Sequence, residues 1–199
     1  MTRKEYKKLD CSISSFQFIK RESEKYWEEV DLDVCWGFQI QEGSKWKKGL
    51  SETQLEDFQK NLGIIFSEPL KNYYRTMNGL DKPGLNNNGG EGEIEFGTTF
   101  YSYPDDIERM KSQIEWIFEA NNVTDEIINT QNVSSIIPYL GHRFLIIDNE
   151  ELILSMYGND IIIWAENLAK GIARDIFPIN STIETKNINM NSFWNKKVL

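Results

Sequence analysis

The segment between Gly49 and Gly79 predicts two consecutive helices and constrains the fold more than any other part of the chain. Ser51 and Gln54 have the spacing of a capping box, in which each side chain binds a free backbone N–H at the start of a helix. Gly63 is expected to end this helix in the left-handed conformation. The predicted buried face carries Leu55, Phe58 and Leu62.

The second helix of this segment is predicted to start after Ser67, which can cap it. Pro69 falls in the first turn, where a missing N–H costs little, and Asn78-Gly79 is expected to close the helix. Its apolar face has helical spacing and consists of Leu70, Tyr73, Tyr74 and Met77. Tyr73 and Tyr74 are therefore predicted core residues.

This pair of helices resembles the SUKH superfamily of the Smi/Knr type, which includes bacterial toxin-immunity proteins and fungal cell-wall regulators. Family members typically read L-P-x-x-Y-x-x-F-L-x-x-x-N-G, and residues 66–79, FSEPLKNYYRTMNG, match the apolar positions and the terminal Asn-Gly. The family proline falls where this chain has Ser67, and Pro69 stands two residues later.

Two further stretches support the resemblance, which covers about residues 49–178. Residues 136–148, IIPYLGHRFLIID, are similar to the strand entry I-P-x-x-x-G that ends in an aspartate. Residues 160–168, DIIIWAENL, look like the last family strand running into a final helix, with Asn167 as its cap. The resemblance implies an α+β fold.

The remaining sequence predicts a single domain, 1–199, in three parts: an N-terminal helix and hairpin-like extension over 1–48, a core over 49–178, and a polar tail over 179–199. The N-terminal helix is expected to break at Ser23, and Gly43 to turn a short hairpin or ordered loop within 36–48. Its apolar stripe consists of Phe16, Ile19, Tyr26, Trp27 and Val30. In the tail, Phe193 and Trp194 are candidates for docking.

Between the two matching blocks, the glycine- and asparagine-rich stretch after Gly79 predicts a surface loop, and residues 94–103 an edge hairpin. A helix follows that is opened by Pro104 and the aspartates and carries Ile107, Met110, Ile114 and Ile117. Strands are predicted at 143–147, 152–156 and 160–164, and a last helix carries Leu168, Ile172 and Ile176. This order predicts an α+β domain with a mostly antiparallel sheet and helices packed on one side.

The charge balance disfavours nucleic acid as a partner. The chain has 31 acidic and 22 basic residues, for a formal net charge of −9, which repels a polyanion and attracts a basic protein. The chain has no apolar run near the roughly 18 residues of a membrane span, and only two cysteines, Cys11 and Cys35. We therefore expect a cytoplasmic protein that does not bind membranes.

The residues for catalysis are few. His142 is the only histidine, follows a glycine at a strand entry and has no nucleophile motif nearby, which indicates a surface or turn residue. Zinc requires several Cys or His ligands, and neither a phosphate-binding loop nor a calcium-binding loop is present. We therefore predict a non-catalytic protein without a cofactor or a metal.

The resemblance implies a protein-binding module, in the first place an immunity protein that masks the active site of a cognate toxin. A nuclease toxin would present a basic surface, which an acidic inhibitor can occupy. The predicted contacts are Glu91, Glu93, Glu95, Asp105 and Asp106, with Trp36 and Trp46 as aromatic anchors. For the aspartates the stronger interpretation is that they only start a helix, and the tryptophans could instead belong to the core.

Two alternatives stay open. The first is a regulatory scaffold of the Smi/Knr type, which would be expected to carry long disordered arms for which this chain has little room. The second is a small-molecule enzyme that uses a carboxylate site around Asp105.

Overall fold

A computed structural model describes residues 1–29, 38–86, 93–148, 151–179, 182–183, 188 and 192–198. Over these residues the fold is α+β, with seven α-helices and eight strands. The helices are α1 Arg3–Lys7, α2 Ile13–Tyr26, α3 Glu52–Leu62, α4 Glu68–Thr76, α5 Ile107–Ala120, α6 Asp125–Gln131 and α7 Leu168–Ile176. The strands are β1 Trp46–Lys48, β2 Met77–Leu80, β3 Gly84–Asn86, β4 Glu95–Gly97, β5 Ser135–Leu140, β6 Arg143–Ile147, β7 Ile153–Tyr157 and β8 Asp160–Ala165.

The described strands form three antiparallel sheets, which confirms the predicted fold class. The largest has the order β5-β6-β7-β8, and the two small sheets pair β1 with β2 and β3 with β4. Successive strands of the large sheet are joined by short connections, as is usual for antiparallel neighbours.

The large sheet is covered on both faces because its strands alternate apolar side chains between two cores. One core includes Ile137, Leu145 and Ile153 together with α7, α4 and α2. The other includes Phe144, Leu154 and Ile161 from the strands, Ile117 from α5 and Trp194 from the C-terminal segment. Most helices thus lie on one side, as predicted, while α5 and Trp194 cover part of the other.

The capping signals of α3 are confirmed. Ser51 and Gln54 form the reciprocal capping box, and Gly63 ends the helix with a left-handed φ of 70°. Ser67 precedes α4 as predicted, but its side chain makes no capping hydrogen bond within the described part of the chain. Asn167 caps α7 by accepting a hydrogen bond from the Lys170 N–H at 2.9 Å.

Asn78-Gly79 does not close α4 as a turn, contrary to the prediction. The helix ends at Thr76, and both residues lie in the buried strand β2, which pairs with β1. Gly79 has a φ of 72°, and a Cβ there would lie 2.6 Å from the Ser102 Cβ. The glycine is therefore required by backbone conformation and by close packing.

Several boundaries differ from those predicted. Helix α2 continues through Ser23, whose hydroxyl donates to the Lys20 carbonyl at 3.0 Å. The predicted surface loop contains β3, which pairs with β4. The predicted edge hairpin within 94–103 is therefore wrong, because the partner of β4 precedes this range. The turn around Gly43 leads into β1, whose partner β2 is distant in sequence.

The C-terminal segment docks through Trp194. Its side chain is fully buried, and Nε1 donates to the Ser134 carbonyl at 2.8 Å. The indole ring lies 5.8 Å from the Phe118 ring and 5.0 Å from the Phe193 ring, between centroids. The division of the chain at 48 and 178 stays a prediction.

Candidate functional site

Exposed acidic and apolar side chains lie next to one another at the hairpin of β3 and β4. Its register pairs Gly84 with Gly97, Leu85 with Phe96, and Asn86 with Glu95. On its other side, β3 is bridged to Gln39, with two backbone hydrogen bonds of 2.8 Å between Gln39 and Leu85. The hairpin is therefore joined to the body through β3, and β4 is its outer strand.

The two glycines at the base of the hairpin make room for Phe38. A Cβ at Gly97 would lie 2.8 Å from two ring atoms of Phe38, and one at Gly84 would lie 3.0 Å from the Phe38 Cβ. The Phe38 side chain thus packs directly against the backbone of both glycines, on one face of the hairpin. The sequence interpretation assigned the glycines to a loop, because their contacts with Phe38, and that of Gly84 with Thr99, join separate parts of the chain.

The outer strand β4 and the two residues before it expose large side chains of two kinds. Ile94 is 54% exposed and Phe96 is 61% exposed, and Glu93 and Glu95 beside them are also exposed. Along β4, Glu95 and Phe96 point to opposite faces because side chains alternate in a strand. Exposed apolar side chains with charged residues next to them in the strand are typical of protein interaction sites. Of the predicted acidic residues, Glu93 and Glu95 therefore lie where a partner can reach them.

Asp106 has a structural position. It is 9% exposed, and its Oδ2 accepts hydrogen bonds from the Ser102 N–H and hydroxyl, both at 2.8 Å. Its Oδ1 accepts from the Thr98 hydroxyl at 2.9 Å. These bonds join the end of β4 to the start of α5, and this burial argues against Asp106 as a partner contact. Asp106 does start α5, since it occupies the N-cap position as the alternative expected, although its side chain makes no hydrogen bond to the described helix.

Asp105 is exposed and forms an ion pair with Lys47, with 2.9 Å between Oδ2 and Nζ. Both residues line a polar groove of about 210 Å³ between β1, β2 and the start of α5. Asp81 and Lys82 lie on the same groove, so its charges are mixed. The groove therefore differs from the hairpin, where the exposed charged residues are both acidic and lie next to exposed apolar side chains.

Trp46 lies in the core, and its predicted role as a surface anchor is corrected. It is 5% exposed, and its Nε1 donates to the Ser23 hydroxyl at 2.8 Å. Its ring lies 4.6 Å from the Phe100 ring and 5.6 Å from the Trp27 ring, between centroids. Trp36 and Glu91, the two other predicted contacts, lie outside the described residues.

A buried polar cluster lies between the large sheet and α7 and was not identified from the sequence. The Asp175 carboxylate accepts a hydrogen bond from the Tyr139 hydroxyl at 2.7 Å and pairs with the Arg143 Nε at 3.1 Å. Burial raises the pKa of the Asp175 carboxyl to about 6, opposed by the charge of Arg143. The Trp164 ring lies against two guanidinium groups, 3.7 Å from the Arg143 Cζ and 4.3 Å from the Arg174 Cζ.

This cluster holds α7 on the sheet. A Cβ at Gly171 would lie 2.8 Å from the Tyr139 hydroxyl, so this glycine lets α7 approach β5 closely. Arg143 also donates to the Ser155 hydroxyl, so Asp175 is linked to both β6 and β7. A buried, fully paired carboxylate of this kind serves specificity of packing rather than contact with a partner.

The described residues contain no group of three or more His, Cys, Asp or Glu side chains placed to hold a metal ion. Within the same part of the chain, every helix is too short or too polar to span a bilayer. His142 lies in the exposed turn between β5 and β6, which confirms its interpretation as a turn residue.

Comparisons of the chain with protein-family models and with curated proteins find no match. The resemblance to the SUKH superfamily is therefore carried by the sequence blocks described above and stays a prediction.

Proposed function

We propose that this protein is a non-catalytic protein-binding module, and in particular a cytoplasmic immunity protein of the SUKH type that neutralises a cognate toxin domain. The observation that carries the binding role is the exposed segment 93–96 at the start of the outer strand β4, where Ile94 and Phe96 lie next to Glu93 and Glu95. The immunity role rests on the sequence resemblance. The α+β fold with antiparallel sheets is consistent with it.

The hairpin supplies both components of a protein interface. Phe96 provides a large aromatic surface of the kind that dominates binding energy once it is buried. The glutamates attract a basic partner over distances near the Debye length, which accelerates association at low salt. A toxin whose active site binds a polyanion has the required basic surface, and occupation of that surface would block its substrate.

The proposal is tested by capture of the partner with the tagged full-length protein, at low and at moderate salt. Two variants test whether the hairpin is the interface. Phe96→Ala removes the aromatic surface, and the double variant Glu93→Lys, Glu95→Lys reverses the charge. None of the three positions is buried, so both variants should fold.

The expected result is a basic protein that binds the wild type in a one-to-one complex and loses its toxic activity in that complex. Phe96→Ala should dissociate faster, and the charge-reversed variant should associate more slowly with a weaker dependence on salt. Equal binding by all three proteins would exclude the hairpin as the interface. A bound partner whose activity is unchanged would contradict the immunity role.

A further inference from the structure

We propose that the edge strand β8 binds a second copy of this chain, so that two four-stranded sheets join through antiparallel β8 strands. Strand β8 is the last strand of the sheet order β5-β6-β7-β8, and β7 is its only strand partner in the described part of the chain. The opposite edge is covered, since the Tyr101 N–H donates to the Tyr139 carbonyl at 2.9 Å and Phe100 bridges Leu140.

The register defines which backbone groups of β8 point away from the sheet. The Met156 N–H donates to the His142 carbonyl at 2.9 Å, on the β6 side of β7. The neighbouring Ser155 therefore directs its backbone groups to β8, where its partner is Ile162. It follows from the alternation that the N–H and C=O groups of Ile161 and Ile163 point to the open edge. They have no backbone hydrogen bond outside the sheet within the described residues.

The first half of this edge lacks the usual protection against pairing. Exposed edges commonly carry a lysine, a proline or a bulge, whereas Ile161, Ile162 and Ile163 are three consecutive β-branched residues, and the irregularity in β8 comes only after them. The irregularity in the pairing of β7 with β8 falls beside Trp164, whose carbonyl accepts a hydrogen bond from the Arg174 Nη1 at 2.7 Å. The open part of the edge is thus short and is centred on Ile162.

A two-fold axis at Ile162 would give a partner to each backbone N–H and C=O group that points to the open edge. Each copy would place Ile161 opposite Ile163 of the other copy, which gives all four outward groups of each chain an antiparallel partner. Ile162 is 43% exposed and would pack against the same residue of the second copy. Such an interface is self-complementary, as a closed dimer requires.

The charges at the ends of β8 are complementary in this arrangement. Asp160 is exposed at the start of the strand and would lie opposite Trp164 of the second copy. The Arg174 guanidinium lies 4.3 Å from the centre of the Trp164 ring, so the carboxylate would approach a positive charge at both ends of the interface. The charge pattern favours antiparallel pairing of two identical strands and does not depend on the function proposed above.

Sedimentation equilibrium of the full chain over a wide concentration range tests the proposal. We expect the mass to rise with concentration from 23.3 kDa to twice that value. Hydrogen exchange at the Ile161 and Ile163 amides should slow as the dimer forms. Ile162→Lys places two ammonium groups face to face and should abolish the dimer, whereas Ile65→Lys, at a residue 83% exposed between α3 and α4, should leave it intact.

Asp160→Lys provides a second variant, at an exposed position that any fold should tolerate, and is expected to weaken the dimer. A wild-type chain that stays monomeric at every concentration overturns the proposal. So does a dimer that survives both β8 variants with unchanged exchange at Ile161 and Ile163.

Discussion

The side-chain amide of Asn78 binds both backbone groups of Tyr103. Its Nδ2 donates to the Tyr103 carbonyl at 2.7 Å, and its Oδ1 accepts from the Tyr103 N–H at 2.8 Å. Asn78 is 6% exposed, so this contact joins β2 to the segment before α5 in a nearly dry environment. The sequence motif Asn-Gly, which suggested the end of a helix, thus holds together two segments that are distant in sequence.

Replacement of Asn78 by alanine should lower the free energy of unfolding by about 1 to 3 kcal/mol, because two buried backbone groups of Tyr103 lose their partner. Asn78→Asp should not restore stability at neutral pH, since its second oxygen would face the Tyr103 carbonyl. Urea unfolding measures both effects. Asn61→Ala is the control, since Asn61 is exposed and binds the Tyr103 hydroxyl instead; an equal loss for this variant would contradict the explanation.

Trp46 and Ser23 should be energetically coupled. Ser23→Ala leaves the buried Trp46 Nε1 without its acceptor and should cost about 1 to 3 kcal/mol. In a Trp46→Phe background the same change should cost much less, because phenylalanine has no donor there. A double-mutant cycle measured by urea unfolding gives the coupling, for which we expect about 1 kcal/mol or more. Additive losses would mean that the hydrogen bond contributes little, and Ser14→Ala on the exposed side of α2 controls for helix effects.

The buried Asp175 predicts a specific dependence of stability on pH. Its pKa is raised by burial from 3.8 to about 6, so the folded protein binds this proton more tightly than the unfolded chain. The resulting stabilisation is fully present below pH 3.8 and is lost as the pH rises through about 6. Its size is on the order of 2 to 3 kcal/mol, from about 1.4 kcal/mol per pKa unit.

The comparison of the wild type with Asp175→Asn isolates the stabilisation that comes from protonation of Asp175. Asparagine does not titrate, so the stability of the variant should lack this dependence on pH. The difference in unfolding free energy between the two proteins should be larger at pH 4 than at pH 8. Urea unfolding across this range measures it, with the exposed Asp160→Asn as control; parallel pH profiles for wild type and Asp175→Asn would refute the assignment.

Two glycines near α3 should respond differently to alanine. A Cβ at Gly49 would overlap the backbone carbonyl of Arg75, which is fixed at the end of α4, so Gly49→Ala should cost about 1 to 3 kcal/mol or more. Gly63 has open space around it and only a left-handed φ, so Gly63→Ala should cost about 1 to 2 kcal/mol. Thermal unfolding ranks the two. Gly63→Asn should recover part of its loss, whereas Gly49→Asn should recover none.

Local signals predicted local structure well in this chain. The capping box of Ser51 and the left-handed Gly63 define α3, and the spacing of apolar residues located α5 and α7, because helix ends and faces depend on neighbouring residues. The same kinds of signal flank α6, whose cap Thr124 accepts from the Ile127 N–H and whose end Asn132 has a φ of 50°. They were present in a stretch interpreted as a polar link.

Contacts between distant segments were not predictable from the sequence. Strand β2 forms because β1 lies beside it, and Trp46 is buried because Ser23, Trp27 and Phe100 surround it. Of the candidate site, Glu93 and Glu95 are exposed as expected, whereas Asp106 binds Ser102 and Thr98 through bonds that no sequence pattern indicates. Whether a residue is exposed depends on which other segments pack against it. A charge or an aromatic ring in the sequence does not determine this exposure.

The burial of Trp194 has a consequence for biosynthesis. The core that contains Phe144, Ile117 and Trp194 lacks this ring until residue 194 has been synthesised, which is after all eight described strands. During translation, Phe118 and the neighbouring apolar residues therefore stay exposed to solvent or bound to a chaperone until Trp194 covers them, although the strands of their sheet have already been synthesised. The two cores of this protein should thus mature at different times on the ribosome.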